Sequence, residues 1–164
     1  MGQASKPQYL HHYDLIEHAP EQALFSSLPE SLNGLVATFH TNERPLQGLA
    51  GLLDWHFHGA ISSYLRAGAM SGDVGECAYL PLSLPVKDAQ GQPGRLFHII
   101  LAGGGSSSAP GKRQEPDEKT YIALRKNILS LKIERLGISQ SDFGNISRET
   151  LAKYFKEVPL WIVR

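Results

Sequence analysis

The sequence predicts an α/β domain in which a mixed sheet lies between layers of helix. Three observations carry this. Strand-like and helix-like segments alternate along the chain. Residues 35–40 form a continuous apolar run that passes through turn chemistry into an amphipathic helical pattern. Residues 95–102, RLFHIILA, are the most strand-like stretch and lead directly into glycines.

Each element follows from its residues. Residues 1–7 read as a loose tail, and 8–164 as one domain. Tyr9, Tyr13, Leu15 and Ile16 mark a first strand within 8–18, and Ala23, Leu24 and Leu28 suit a short helix over 20–28. A turn at 29–34 precedes the second strand, 35–40, which is apolar enough to be central in a sheet. Thr41, Asn42, Glu43, Arg44 and Pro45 then break the run. Gly48 opens a helix expected over 49–67, with Leu49, Leu53, Phe57, Ala60, Ile61 and Tyr64 at steps of three and four, and Gly68 closes it. Residues 69–76 form a glycine-rich loop. In 77–86, Pro81 and Pro85 push the strand to a sheet edge, and the turn residues of 87–94 predict a hairpin into 95–102.

Residues 103–111, GGGSSSAPG, form a loop that is flexible by composition. Pro116, Asp117 and Glu118 sit in the first turn of the next helix. Two stripes, Tyr121–Leu124–Ile128–Leu131 and Ile122–Leu129–Ile133–Leu136, predict a broadly buried helix. Gly137 is one candidate for its end, with part of 131–138 as strand the alternative. Ser147 N-caps a last helix whose inner face holds Leu151, Tyr154, Phe155 and Val158. Pro159 stops it, and 160–163 form a terminal strand. With Met1 in place and a closing strand, a self-contained domain is expected.

Composition narrows the function. A chain of 164 residues holds one domain with a real core. Sixteen basic side chains balance sixteen acidic ones, so no basic excess points to nucleic acid. No apolar stretch approaches a membrane span or a secretory signal. The single Cys77 excludes an internal disulfide and fits a reducing compartment, so a cytoplasmic location is the expectation.

The residues that could carry chemistry are few. His56 and His58 would point to different sides of a helix, and adjacent His11 and His12 to opposite faces of a strand. No Cys–His set has zinc spacing. The expectation is surface histidines plus a partly buried His98, with no metal and no cofactor. A lone strand cysteine reads as a small core residue. The stretch around Lys112 fails as a phosphate-binding P-loop, because Ser106 stands where the first glycine belongs and Arg113 where the hydroxyl belongs. What remains at 103–111 is a glycine-serine loop that is either a nest of N–H groups and hydroxyls for a phosphate or a plain connection.

Within residues 44–82 a family pattern emerges. Arg44, Pro45 and Leu46 are followed by Gly48, Ala50, Gly51, Asp54 and Trp55, then Gly59, Ile61 and Ser62, then Gly72, Gly75 and Glu76. This resembles the N-terminal domain of the leucyl (cytosol) aminopeptidases, and 95–105 is similar to the later strand and glycine loop of that domain. The resemblance implies a three-layer, macro-domain-like fold with a mixed β-sheet flanked by helices. That family keeps its two-metal peptidase chemistry in a separate C-terminal domain, so no catalytic residue carries over. A more distant likeness is to the macro domains that bind ADP-ribose. Asn42, Gly48 and Gly51 sit near that family's first loop, and His98 with Gly103, Gly104 and Gly105 near its second. Asp14 is a loose match for an adenine-side acceptor.

These readings converge on a stand-alone, non-catalytic module that acts by binding. Its partner would be a nucleotide-type small ligand, a second copy of itself or another protein. The candidate ligand-binding residues are Asn42, Arg44, Gly48, Gly51, Gly103, Gly104, Gly105, Ser106 and Ser107. The alternative is an ADP-ribose-binding macro domain. Less favoured is an ADP-ribosyl hydrolase, for which Glu43 or Asp54 would supply the base.

Overall fold

Alternation along the strands decides the architecture. The computed structural model describes residues 10–13, 32–83, 96–107, 115–133, 136–156, 158 and 160–163. Its strands are β1 (Leu10–Tyr13), β2 (Gly34–Phe39), β3 (Cys77–Ser83), β4 (Leu96–Gly103), β5 (Leu136–Ser139) and β6 (Leu160–Val163). Its helices are α1 (Gly48–His56), α2 (Ala60–Arg66), α3 (Glu118–Leu131) and α4 (Arg148–Tyr154), with a 3-10 turn at Ser141–Phe143. The strands form one sheet in the order β1-β6-β5-β2-β4-β3. All neighbours are parallel except β3, which runs antiparallel to β4 at the edge.

The two faces of the sheet bury separate cores. Leu35, Ala37 and Phe39 of β2 and Phe97, Ile99 and Leu101 of β4 pack under Leu49, Ala50, Leu53, Ile61 and Leu65 of α1 and α2. Val36, Ile100 and Ala102 face the other way, toward Tyr121, Leu124 and Ile128 of α3 and Leu151 of α4. A period of two in the central strands thus serves two layers of period 3.6.

Where β5 ends, a side chain takes over its ladder. The N–H of Thr38 donates to Asp142 Oδ2 at 2.7 Å, and its hydroxyl donates to the Asp142 carbonyl at 2.9 Å. Both residues are buried. This holds β2 two residues beyond Val36, its last backbone pair with β5.

Several expectations hold. β2 and β4 are central, β3 is an edge strand, and the side chain of Ser147 accepts the Thr150 N–H at 3.1 Å as an N-cap. Gly68 does take positive φ, at 81°. Others need correction. The helix expected over 49–67 is two helices, broken at 57–59, where His58 and Gly59 have φ of 56° and 80°. The break persists because the Asp54 carboxylate accepts the Ser62 N–H at 2.8 Å and the Ser62 hydroxyl at 2.5 Å, capping α2 from the preceding helix. Half of the second stripe is not inward: Ile122 and Leu129 are 60% and 45% exposed, because the helix rests on one layer only, while Ile133 and Leu136, beyond the helix end, are buried. Gly137 does not end α3 but lies within β5, so the alternative of strand within 131–138 holds, and α3 ends at Lys132 in the left-handed region. The expected tail, the helix at 20–28, the hairpin turn and Asp14 fall outside the described residues.

Removing the Asp54 carboxylate should uncap α2. Asp54→Ala is expected to cost about 1 kcal/mol, lowering the melting midpoint by roughly 2–4 °C, with a smaller loss for Asp54→Asn. A midpoint equal to wild type in thermal denaturation would contradict this role.

Candidate functional site

The chain leaves β2 and β4, adjacent parallel strands, toward opposite faces of the sheet. After β2 it enters α1 and α2 on one face, and after β4 it enters α3 on the other. Such a divergence at the carboxyl ends of neighbouring strands is a topological switch point, where open α/β sheets take their ligands.

Three loops meet there. Gly104 donates its N–H to the Phe39 carbonyl at 2.9 Å, and Thr41 donates to the Gly105 carbonyl at 3.1 Å. Gly105 donates to Gly72 and Gly103 to Glu76, each at 2.9 Å, which brings in the loop before β3. Outside these backbone ties, Thr41 Oγ1 and Ser106 Oγ share a hydrogen bond of 3.2 Å. Asn42 and Ser107 pair in both directions: Ser107 N–H to Asn42 Oδ1 at 3.1 Å, and Asn42 Nδ2 to the Ser107 carbonyl at 3.3 Å. Thr120 locks α3 onto the same place, its hydroxyl donating to the Gly103 carbonyl at 3.0 Å and accepting the Gly75 N–H at 3.1 Å.

Close backbone approach explains the glycines. A Cβ on Gly103 would lie 2.1 Å from the Asp73 carbonyl oxygen, and one on Gly104 would lie 2.7 Å from Cε1 of His40. Residues 103–105 therefore spend their N–H groups on neighbouring loops, and 104–107 are tied rather than loose.

The remaining predicted residues form a second group. Glu43 is buried, and its Oε1 accepts the Gln47 N–H at 2.6 Å, placing a carboxylate at the start of α1. Exposed Arg44 donates to the Glu43 carbonyl at 2.6 Å and lies 5.9 Å from the Phe39 ring centroid. Gly48 is the first residue of α1 with φ 58°, and a Cβ on Gly51 would meet the Leu46 carbonyl oxygen at 2.5 Å. Asn42, Gly103, Gly104, Gly105, Ser106 and Ser107 thus come together at the rim, while Gly48 and Gly51 shape the segment behind it.

Other groups were not foreseen. Glu76 grips its own loop, accepting the Gly72 N–H at 2.9 Å, the Ser71 N–H at 2.8 Å and the Ser71 hydroxyl at 2.9 Å. Desolvation works to raise its pKa and is outweighed by the hydrogen bonds from Gly72 and Ser71, so the carboxyl sits below its ordinary value. The Gly-x-x-Gly-Glu spacing was the signal for this clamp. His40, expected to lie at the surface, is only 3% exposed. Thr120 had no sequence signal. Burial pushes the Cys77 thiol up to about 12, which leaves it protonated at neutral pH and fits a packing role. Burial lowers the pKa of half-buried His98, whose Nδ1 lies 2.5 Å from the Tyr79 hydroxyl. Among the described residues no group of His, Cys, Asp and Glu is arranged to hold a metal, and no helix is long and apolar enough to cross a membrane.

No family model and no curated protein matches the chain. Solved structures do. The chain is similar to the macrodomain of Mycobacterium tuberculosis DarG, at TM-score 0.60 and 16% identity over 94% of this chain and 96% of that one. It is similar to the macrodomain of Thermus aquaticus DarG at TM-score 0.57 and 14% identity, covering 94% and 97%. Thermosipho africanus DarTG in complex with ADP-ribose aligns at TM-score 0.52 and 11% identity, over 80% of this chain and 38% of that one. At such identities the likeness carries the fold, and the fold is that of a macrodomain.

The Glu76 clamp has a pH signature. Because its folded pKa is lowered, its contribution is complete above the unfolded value of 4.5 and is lost as pH falls through the folded value. Urea titrations of wild type and Glu76→Gln should show a stability gap at neutral pH that closes in acid. A gap constant across the acid range would rule the clamp out.

Proposed function

We propose that the chain is a binding module that takes an ADP-ribose-type nucleotide at the carboxyl edge of β2 and β4 and does not turn it over. The observation that carries this reading is the switch point itself, rimmed by the polar groups of Thr41, Asn42, Ser106 and Ser107. The macrodomain fold supports it, as does the ADP-ribose complex of one structural neighbour.

Energetics favour a rim that opens. The outer ties, Thr41–Ser106 and Asn42–Ser107, are exposed side-chain contacts. Such bonds contribute on the order of 1 kcal/mol each at most, and a ligand's own contacts can replace them. The backbone ties beneath them keep the two strand exits in place.

Binding without hydrolysis fits the carboxylates. Glu43 and Asp54, the bases a hydrolase would have used, hold Gln47 and Ser62 in place. Glu76 holds Ser71 and Gly72. The aminopeptidase-like motif then serves as scaffold, with Gly51 packing on Leu46 and Asp54 capping α2. A protein-partner role is the second reading. It is favoured by Trp55, which is 68% exposed on α1, since exposed tryptophans are frequent anchors of interfaces.

Thermal shift tests the nucleotide reading. ADP-ribose at a hundred times its Kd should add about 2.7 kcal/mol, a rise of roughly 5–10 °C for a domain of this size. The nucleotide should be recovered intact. No shift at millimolar ligand removes the reading, and release of free ADP-ribose from an ADP-ribosylated substrate removes its non-catalytic half.

A further inference from the structure

The geometry points to His40 as the residue that accepts a hydrogen bond from a ribosyl hydroxyl of the bound nucleotide, through Nε2. This rests on the nucleotide reading above and adds to it a residue and the ligand group that the residue recognises.

His40 follows the last residue of β2, and its ring is buried. Nδ1 lies 3.1 Å from the Gly105 carbonyl oxygen. A carbonyl can only accept, so the neutral ring carries its proton on Nδ1. That leaves Nε2 with a bare lone pair, and Nε2 is buried with no hydrogen-bond partner among the described residues. An acceptor left unpaired in a protein interior is costly, and native structures keep few of them. The position is held by design of the surrounding backbone. Gly104 makes room for the ring at Cε1, the atom bonded to Nε2, and the Gly105 carbonyl fixes the tautomer.

The lone pair selects its partner. A phosphate at neutral pH offers oxygen acceptors and negative charge, so it is not what Nε2 faces. A metal is disfavoured, since no set of three ligating side chains is found among the described residues. Of the donors a nucleotide diphosphate sugar carries, the ribosyl hydroxyls are the most numerous, and each is a neutral donor suited to an imidazole nitrogen. Entry requires residues 106–107 to shift, and their fastenings are the exposed pairs with Thr41 and Asn42, while the backbone bonds of Gly104 and Gly105 stay in place.

The test separates the two nitrogens. In His40→Asn the side-chain amide can still donate to Gly105, but the acceptor at Nε2 is gone. Calorimetric titration with ADP-ribose should show the variant binding roughly 2- to 12-fold more weakly than wild type, the range for one neutral hydrogen bond. The same ratio should hold for the hypoxanthine analogue, which lacks the adenine amino group. In parallel, 15N NMR of histidine-labelled wild type should show Nδ1 protonated and the Nε2 resonance moving when ADP-ribose is added, which needs no variant to fold. Equal affinities for His40→Asn and wild type, an Nε2 resonance indifferent to ligand, or a penalty confined to the adenine form would each overturn the assignment while leaving nucleotide binding intact. Failure of wild type to bind ADP-ribose would remove the function itself, and this role with it.

Discussion

One backbone hydrogen bond governs the functional end of this molecule. Gly104 donates to the carbonyl of Phe39 and so extends the β2–β4 ladder past the sheet, into what would otherwise be two independent loops. Because the strands are parallel and adjacent, this bond fixes both exits at one point. Everything at the rim is referred to it. The loop before β3 hangs from Gly103 and Gly105, α3 is docked through Thr120, and the His40 ring is trapped beneath Gly104. The absence of a side chain at 103 and 104 is the condition for all of it, since a Cβ at 103 would strike the backbone of Gly72 and Asp73 and one at 104 the His40 ring.

Much of the fold was legible in the sequence. The runs that became β2 and β4 are apolar without interruption, which is how a strand covered on both faces reads. Pro81 named the edge strand, and Ser147 named the last helix start, because in each case the constraint is carried by the residue itself. What could not be read depends on distant partners. The stripe Phe57, Ala60, Ile61, Tyr64 keeps its period across the break between α1 and α2, so hydrophobic pattern alone joins them. The exposed Ile122 and Leu129 look as apolar as Leu124, and only the single layer beneath α3 distinguishes them. The place of β6, between β1 and β5, is a matter of tertiary pairing with no local mark.

The candidate site divides the same way. The glycines and the Asn42–Arg44 turn stand out in sequence because they interrupt strong periodic segments. Their use does not. An N–H that reads as available in a glycine loop is taken when another loop, remote in sequence, arrives to accept it, as Gly72 does for Gly105. His40 carries no local mark for the opposite reason: it ends an apolar run and reads as part of a strand. Its significance comes from Gly104 and Gly105, sixty-odd positions away. In physical terms, the site is made of long-range backbone contacts, and a local pattern can mark where they are allowed but not which of them form.

The division of the interior into two clusters has an evolutionary corollary. The layer of α1 and α2 and the layer of α3 and α4 share the central strands but pack on opposite sides of them. Substitutions in one layer meet few atoms of the other, so their energetic effects should sum rather than interact. Each half of the interior can then be altered in sequence on its own without disturbing the backbone seam at the strand exits. The same architecture can then be filled with different side chains, as in the structures that share this fold at 16% identity or less.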